Sequence, residues 1–205
     1  MSELAVYFRV GFHHIADWRA TDHLLFVAAL TAAYGPRDWK RLAWLVTAFT
    51  IGHSVTLALA TLDLVRVNSD LVEALIALTI VVTAFAAIHD QRARGPAGQE
   101  PLPALAWARR YGLALGFGLI HGLGFASGLR TLLGGEEAIA VPLLGFNLGL
   151  EAGQLLVVAA IFMFGLGFER LLGWSRRDWV LVLSGAAAGV GLSLLVQRLL
   201  SSSAP

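Results

Sequence analysis

The sequence predicts an all-helical protein that crosses a membrane several times. Of its 205 residues, 57% are hydrophobic and only 14% are charged, whereas a soluble domain carries about 25% charged residues. This number of charged residues is too small to cover a surface that faces water. Most of the surface is therefore expected to face lipid. The apolar residues form long runs without strand-like alternation, which favours membrane helices over membrane strands.

Six apolar segments approach the length of about 20 residues that a helix needs to cross the hydrocarbon core. We predict spans over residues 22–34, 42–62, 71–88, 111–129, 138–166 and 179–196, which together form a single membrane domain. The segment before the first span carries Arg9, His13, His14 and Asp17 among its apolar residues. We therefore predict a short amphipathic helix at the membrane interface, followed by a six-helix bundle.

The distribution of Lys and Arg predicts which side of the bilayer each loop occupies. Ten of the fifteen Lys and Arg residues lie in the loops after the first, third and fifth spans, and such loops stay in the cytoplasm. Both termini are then predicted on the outer side. The basic residues are spread along the chain, which does not indicate nucleic-acid binding, so the lipid bilayer is the first partner expected.

The absence of cysteine limits the chemistry that the chain can perform. Disulfides, thiolate catalysis, iron–sulfur clusters and cysteine-based zinc sites are excluded. Any metal site must be built from nitrogen and oxygen ligands.

Polar side chains at a similar depth in four spans form the most informative pattern. His23 begins the first span, His53 lies past the middle of the second, and His121 lies in the outer half of the fourth. The fifth span carries Asn147 in its outer part and Glu151 near its middle. An acidic side chain near the bilayer centre costs about 2.5–3.5 kcal/mol, so Glu151 is expected to have a metal, a proton or an imidazole as partner.

The fifth span has one polar face and one glycine face. At about 100° per residue, Asn147, Glu151 and Gln154 share a side of the helix. Glycines at positions 145, 149 and 153 share another, which suits close helix packing. We expect Asn147 and Gln154, with Thr50 and Thr56 beside His53, to line the pathway or support the ligands. For Asn147 and Gln154, polar contacts between membrane helices are the favoured interpretation over a role as ligands.

Imidazole and carboxylate ligands together suit Ni²⁺, Co²⁺ or Zn²⁺, and a site without thiolate favours reversible binding. The candidate metal ligands are His14, Asp17, Asp22, His23, His53, His121 and Glu151. Simpler interpretations stay open for some of them. Asp22 can cap the first span, His14 and Asp17 can be interfacial only, and the whole cluster can be hydrogen bonding between helices.

Five stretches of the sequence resemble the HupE/UreJ family of membrane proteins. They are HHIADWRATDHLLF at 13–26, LVTAFTIGHSVTLAL at 45–59, VNSDLVEALIALTI at 67–80, GFGLIHGLGFASGL at 116–129 and LLGFNLGLEAGQL at 143–155. The resemblance implies a multi-pass protein of the bacterial inner membrane, and the distribution of Lys and Arg then predicts both termini in the periplasm. Some relatives are linked to nickel supply for hydrogenase or urease and are regarded as nickel permeases, which adds metalloenzyme maturation proteins to the expected partners.

The family signature places a histidine shortly before an Asp-His pair. By resemblance, His14, Asp22 and His23 take those places here. Seven residues, including Asp17, separate His14 from Asp22, and this longer spacing indicates a distinct subfamily.

The leading hypothesis is a divalent-metal permease or metal-handling protein, a transporter rather than an enzyme. Metal would be captured by His14, Asp17, Asp22 and His23 and passed to His53, His121 and Glu151. Protons compete for imidazoles, so binding is expected to weaken below about pH 6. The alternatives are an intramembrane metal-dependent hydrolase with Glu151 as its base, and a non-catalytic accessory subunit for metalloenzyme maturation.

Overall fold

The computed structural model describes residues 2–17, 21–93, 103–133 and 139–202. All regular secondary structure in these ranges is helical, as predicted. A short 3₁₀ turn at Pro36–Asp38 precedes the third helix. The α-helices are α1 Glu3–Ala16, α2 Thr21–Ala32, α3 Trp39–Thr61, α4 Ser69–Ala93, α5 Ala104–Leu133, α6 Ala140–Leu171 and α7 Arg176–Ser202.

Within the described ranges, the five helices α3 to α7 are long and apolar enough to cross a membrane. Each overlaps almost all of one of the five later predicted spans: α3 ends one residue before the end of the predicted span 42–62, and α6 begins after residue 138, which lies outside the described residues. The predicted first span corresponds to α2, which is apolar but has only 12 residues. At about 1.5 Å per residue it extends about 18 Å, less than the hydrocarbon core of about 30 Å. The number of six spans therefore stays a prediction.

Large apolar side chains cover the outside of the bundle. Trp44 is 67% exposed, Phe85 61% and Phe164 65%, and these residues lie on three different long helices. Such a surface is unfavourable in water and matches the hydrocarbon of a bilayer. The chain is a multi-pass membrane protein.

From α2 to α7 the helices alternate in direction, which gives the bundle two ends. At the Arg130 end, α3 and α5 finish, and Arg130 pairs with Asp63 at 3.1 Å. Hydrogen bonds from Arg66, and to a smaller extent from Arg130, lower the pKa of the exposed Asp63 carboxyl. At the Arg110 end, α5 begins and α4 finishes, and Arg110 pairs with Asp90.

Glycines bring α3 and α5 into direct backbone contact. A Cβ atom on Gly118 would overlap the carbonyl oxygen of Phe49, and one on Gly122 would overlap the carbonyl oxygen of His53. The two helices run in the same direction, since both begin at the Arg110 end. Their contact fixes the backbone of His53 against α5.

The glycine face predicted for the fifth span is the surface on which α1 packs. Residues 4, 8 and 12 of α1 lie in order against Gly145, Gly149 and Gly153 of α6, so these two helices are also parallel. Gly11 of α1 contributes to the same contact, because a Cβ atom there would overlap the carbonyl oxygen of Phe146. The location of α1 at the membrane interface stays a prediction, but its partner within the bundle is α6.

Candidate metal centre

Three histidines from three helices meet in the half of the bundle nearest the Arg130 end. His14 lies in the last turn of α1 and His23 in the first turn of α2. His53 lies on α3, about 12 Å before that helix ends, at about 1.5 Å per residue. One ring nitrogen from each histidine lies within 4.8 Å of the other two. The end of α1 and the beginning of α2 thus bring two imidazoles to a third.

Two of these imidazoles are buried and His14 is half-buried, and their ring nitrogens have few hydrogen-bond partners. His23 is 5% exposed and His53 is fully buried. Within the part of the chain that the structure describes, Nε2 of His14 and both ring nitrogens of His23 and of His53 have no hydrogen-bond partner. Each unpaired buried group costs about 1–3 kcal/mol. A ligand that accepts nitrogen lone pairs would remove this cost.

The spacing of the His14 and His23 rings suits a shared metal ion, whereas His53 is farther from His14 than one tetrahedral ion requires. Two imidazoles on one tetrahedral ion have ring centroids about 5 Å apart, given a metal–nitrogen length of about 2.0 Å. The centroids of His14 and His23 are 4.6 Å apart, and those of His14 and His53 are 6.2 Å apart. The buried ring of His121 lies 5.0 Å from His23. The fourth predicted histidine is therefore adjacent to the group.

Asp22 connects the histidines to a cavity near the Arg130 end. Its Oδ1 lies 3.2 Å from Nδ1 of His23, an ion-pair contact without the geometry of a hydrogen bond. The cavity has a volume of about 280 Å³ and is lined by Thr21, Asp22, Glu73, Ile76, Ala77, Leu194 and Arg198. Glu73 and Arg198 form an ion pair of 2.7 Å across it. A cation entering this cavity meets Asp22 before it meets His23.

Aromatic rings enclose the histidines on the remaining sides. His14 lies 4.1 Å from Phe125 and 5.5 Å from Phe146, between ring centroids. Phe26 and Phe49 lie 5.1 and 5.2 Å from His121. An apolar enclosure limits access of water and strengthens electrostatic interactions inside it.

The predicted polar face of α6 contacts α3 rather than the histidine group. Oε1 of Glu151 accepts a hydrogen bond of 2.5 Å from Thr47, and Oε1 of Gln154 accepts one of 3.0 Å from Thr50. Glu151 does not belong to the histidine group among the described residues. The acid therefore has a hydroxyl as its partner in this structure, and these bonds join two helices.

The structure places the other predicted residues around the group. Thr56 donates a hydrogen bond of 2.7 Å to the carbonyl oxygen of Leu119, which joins α3 to α5. Oδ1 of Asn147 is buried without a hydrogen-bond partner in the described ranges. Asp17 is exposed just after α1 and is outside the histidine group.

Two hydroxyl groups that contact the site were not anticipated. Thr47 binds Glu151, and Thr79 on α4 lies 2.8 Å from Nε2 of His121. The sequence indicated neither contact strongly. A threonine in a membrane helix commonly donates its hydroxyl hydrogen bond to a carbonyl oxygen of its own helix, so its presence does not predict a partner on another helix.

Comparison with known proteins adds one match. A family model described as HupE / UreJ protein matches residues 1–198, nearly the whole chain. Neither the curated proteins nor the solved structures contain a match. The matched range includes His14, His23, His53 and His121. The chain therefore belongs to the HupE/UreJ family.

Proposed function

We propose that this protein is a permease for a divalent transition metal of the nickel and cobalt type in a bacterial inner membrane. The observation that carries the proposal is the group of three imidazoles from three helices, two of them buried and that of His14 half-buried, with ring nitrogens that lack hydrogen-bond partners. Imidazole nitrogen prefers Ni²⁺, Co²⁺ and Zn²⁺ over Mg²⁺ and Ca²⁺. The metal is the cargo, and ligands without thiolate allow its release.

The interruption between α1 and α2 supports transport. Both helices lead from the Arg130 end toward the Arg110 end, and they meet at the histidines. At about 1.5 Å per residue they extend about 21 and about 18 Å, so together they can cross the bilayer as the sixth span. Many transporters bind their substrate at the break of such a discontinuous helix.

The direction of transport in this proposal follows from the basic residues. Arg37, Lys40, Arg41 and Arg110 lie at the Arg110 end, which the positive-inside rule places in the cytoplasm. The cavity at Asp22 then opens toward the periplasm. Metal would enter there, bind His23, His14 and His53, and leave toward the Arg110 end.

The proposal is tested by metal uptake in cells that express the protein or its His53→Ala variant. We expect uptake of Ni²⁺ or Co²⁺ by the variant to fall to the level of cells without the protein, because one of three ligands is lost. His89→Ala is the matched control, since His89 is 84% exposed at the Arg110 end of α4. Equal uptake by wild type and His53→Ala, at equal amounts in the membrane, would refute the permease.

A second prediction concerns selectivity. We expect that purified protein binds Co²⁺ and that an excess of Mg²⁺ or Ca²⁺ does not displace it, because these hard cations require oxygen ligands. Titration followed by the visible spectrum of Co²⁺ measures this directly. Displacement of Co²⁺ by Mg²⁺ would instead indicate a carboxylate site such as Asp22 with Glu73.

An intramembrane metalloenzyme is the second candidate, because three histidines with an open position also describe a catalytic zinc site. Such an enzyme needs a base next to the metal-bound water. Glu151, the base expected for it, is hydrogen-bonded to Thr47 and lies outside the histidine group. Tight Zn²⁺ binding without any uptake would favour the enzyme. Absence of bound metal together with a stoichiometric protein partner would favour an accessory subunit.

A further inference from the structure

We infer that Thr79 is a positioning residue that holds His121 as the neutral imidazole protonated on Nε2. The Nδ1 atom of His121 is then left as an electron-pair donor and can serve as a fourth imidazole ligand for the metal. The ligand role rests on the proposed function, whereas the protonation state follows from the hydrogen bonds alone.

The hydroxyl of Thr79 determines which nitrogen of His121 carries the proton. Thr79 is 2% exposed, and its Oγ1 lies 2.7 Å from the carbonyl oxygen of Ile76 and 2.8 Å from Nε2 of His121. A hydroxyl has a single hydrogen, and a carbonyl oxygen can only accept. Thr79 therefore donates to Ile76, because two oxygens at this distance without a hydrogen between them would repel. The remaining bond requires Nε2 of His121 to donate.

A neutral imidazole carries one N–H group, so Nδ1 of His121 holds a lone pair. This atom is buried and has no hydrogen-bond partner among the residues that the structure describes. The centroid of His121 is 5.0 Å from that of His23, close to the separation of about 5 Å for two imidazoles on one ion. His121 lies outside the group of three imidazoles whose nitrogens are within 4.8 Å of one another, so a free lone pair on its Nδ1 offers the ion a fourth imidazole beside that group.

The next threonine on α4 provides a matched control. Thr83 is 6% exposed, and its hydroxyl donates a hydrogen bond of 2.7 Å to the carbonyl oxygen of Thr79. It has the same residue type, helix and burial, and no hydrogen bond to an imidazole is seen for it in the described ranges. Replacing Thr83 by Val removes an equivalent hydroxyl without touching the metal site.

The test compares Thr79→Val, Thr79→Ser and Thr83→Val with the wild type. Loss of a hydrogen bond that orients a metal-binding histidine lowers metal affinity by about 10–100-fold. We expect this loss of Co²⁺ affinity for Thr79→Val only. Thr79→Ser keeps the hydroxyl and should restore wild-type affinity, and Thr83→Val should resemble the wild type.

A direct readout of the proton separates positioning from a general effect on folding. Nitrogen NMR of metal-free protein labelled at histidine distinguishes Nε2–H from Nδ1–H, and the His121 signal is identified by its loss in His121→Gln. We expect Nε2–H in the wild type and in Thr79→Ser, and a mixture of both forms in Thr79→Val. Nδ1–H in the wild type, or an unchanged signal in Thr79→Val, would overturn the role of Thr79. Wild-type protein that binds no Co²⁺ would overturn the proposed function and the ligand role of Nδ1, while the NMR result would still decide the positioning.

Discussion

Replacing Asp90 by Ala is expected to lower the free energy of unfolding by about 3–5 kcal/mol, because it leaves a buried guanidinium without its counterion. Asp90 is 3% exposed. Its Oδ2 accepts hydrogen bonds of 2.6 Å from Nε of Arg110 and 2.8 Å from the hydroxyl of Tyr34. The side chain of Arg110 is only 16% exposed, so water cannot replace the carboxylate fully. Denaturation of the purified protein in detergent measures the change.

Two further variants make this prediction specific. Asp63 also pairs with two arginines, Arg66 and Arg130, but on the exposed surface of the Arg130 end. Asp63→Ala should therefore change the stability far less than Asp90→Ala. The double variant Asp90→Ala/Arg110→Leu should regain part of the loss, because it removes the unpaired charge. Equal losses for Asp90→Ala and Asp63→Ala would contradict the prediction.

Gly122→Ala is expected to destabilise the protein and to weaken metal binding together. The new Cβ atom would overlap the carbonyl oxygen of His53 and the hydroxyl of Thr56. Helix α3 must then move away from α5, and overpacking of this kind costs about 1–3 kcal/mol, occasionally more. His53 moves with its own backbone, so the Co²⁺ affinity should fall in the same variant.

Two other glycines of α5 provide the control for helix propensity. A Cβ atom on Gly112 or Gly116 has no neighbour within 4 Å. Alanine favours a helix over glycine by about 1 kcal/mol, so Gly112→Ala and Gly116→Ala should leave stability unchanged or raise it. Thermal unfolding and Co²⁺ titration of the three variants check both effects. Tight Co²⁺ binding by Gly122→Ala would show that the α3–α5 contact does not position His53.

The histidine site illustrates what the sequence could predict. The sequence was enough to expect His23, His53 and His121 near each other. Once the direction of each predicted span is known, the position of a residue along the span gives its depth in the membrane. Depth alone does not give helix rotation or helix neighbours. For that reason, the hydroxyl partner of Glu151 and the contact of Thr79 with His121 required the structure.

The contribution of α1 was harder to predict. Its polar residues are typical of a helix at the membrane surface, and the glycines at 145, 149 and 153 indicated a close contact without naming the partner. Gly11 is the small residue of α1 at this contact. A single glycine in a short helix does not by itself predict which helix packs against it. The choice of neighbour depends on packing of the whole bundle.

The two glycine-packed helix pairs have a mechanical consequence. Backbone contact leaves little freedom within the α3–α5 pair, which carries His53 and His121, or within the α1–α6 pair, which carries His14. The pairs themselves are joined by side-chain hydrogen bonds, from Thr47 to Glu151 and from Thr50 to Gln154, and a single hydrogen bond contributes a net stability of only about 1 kcal/mol. In the proposed permease, sliding of one pair past the other would separate His14 from His53 and His121 without unfolding any helix.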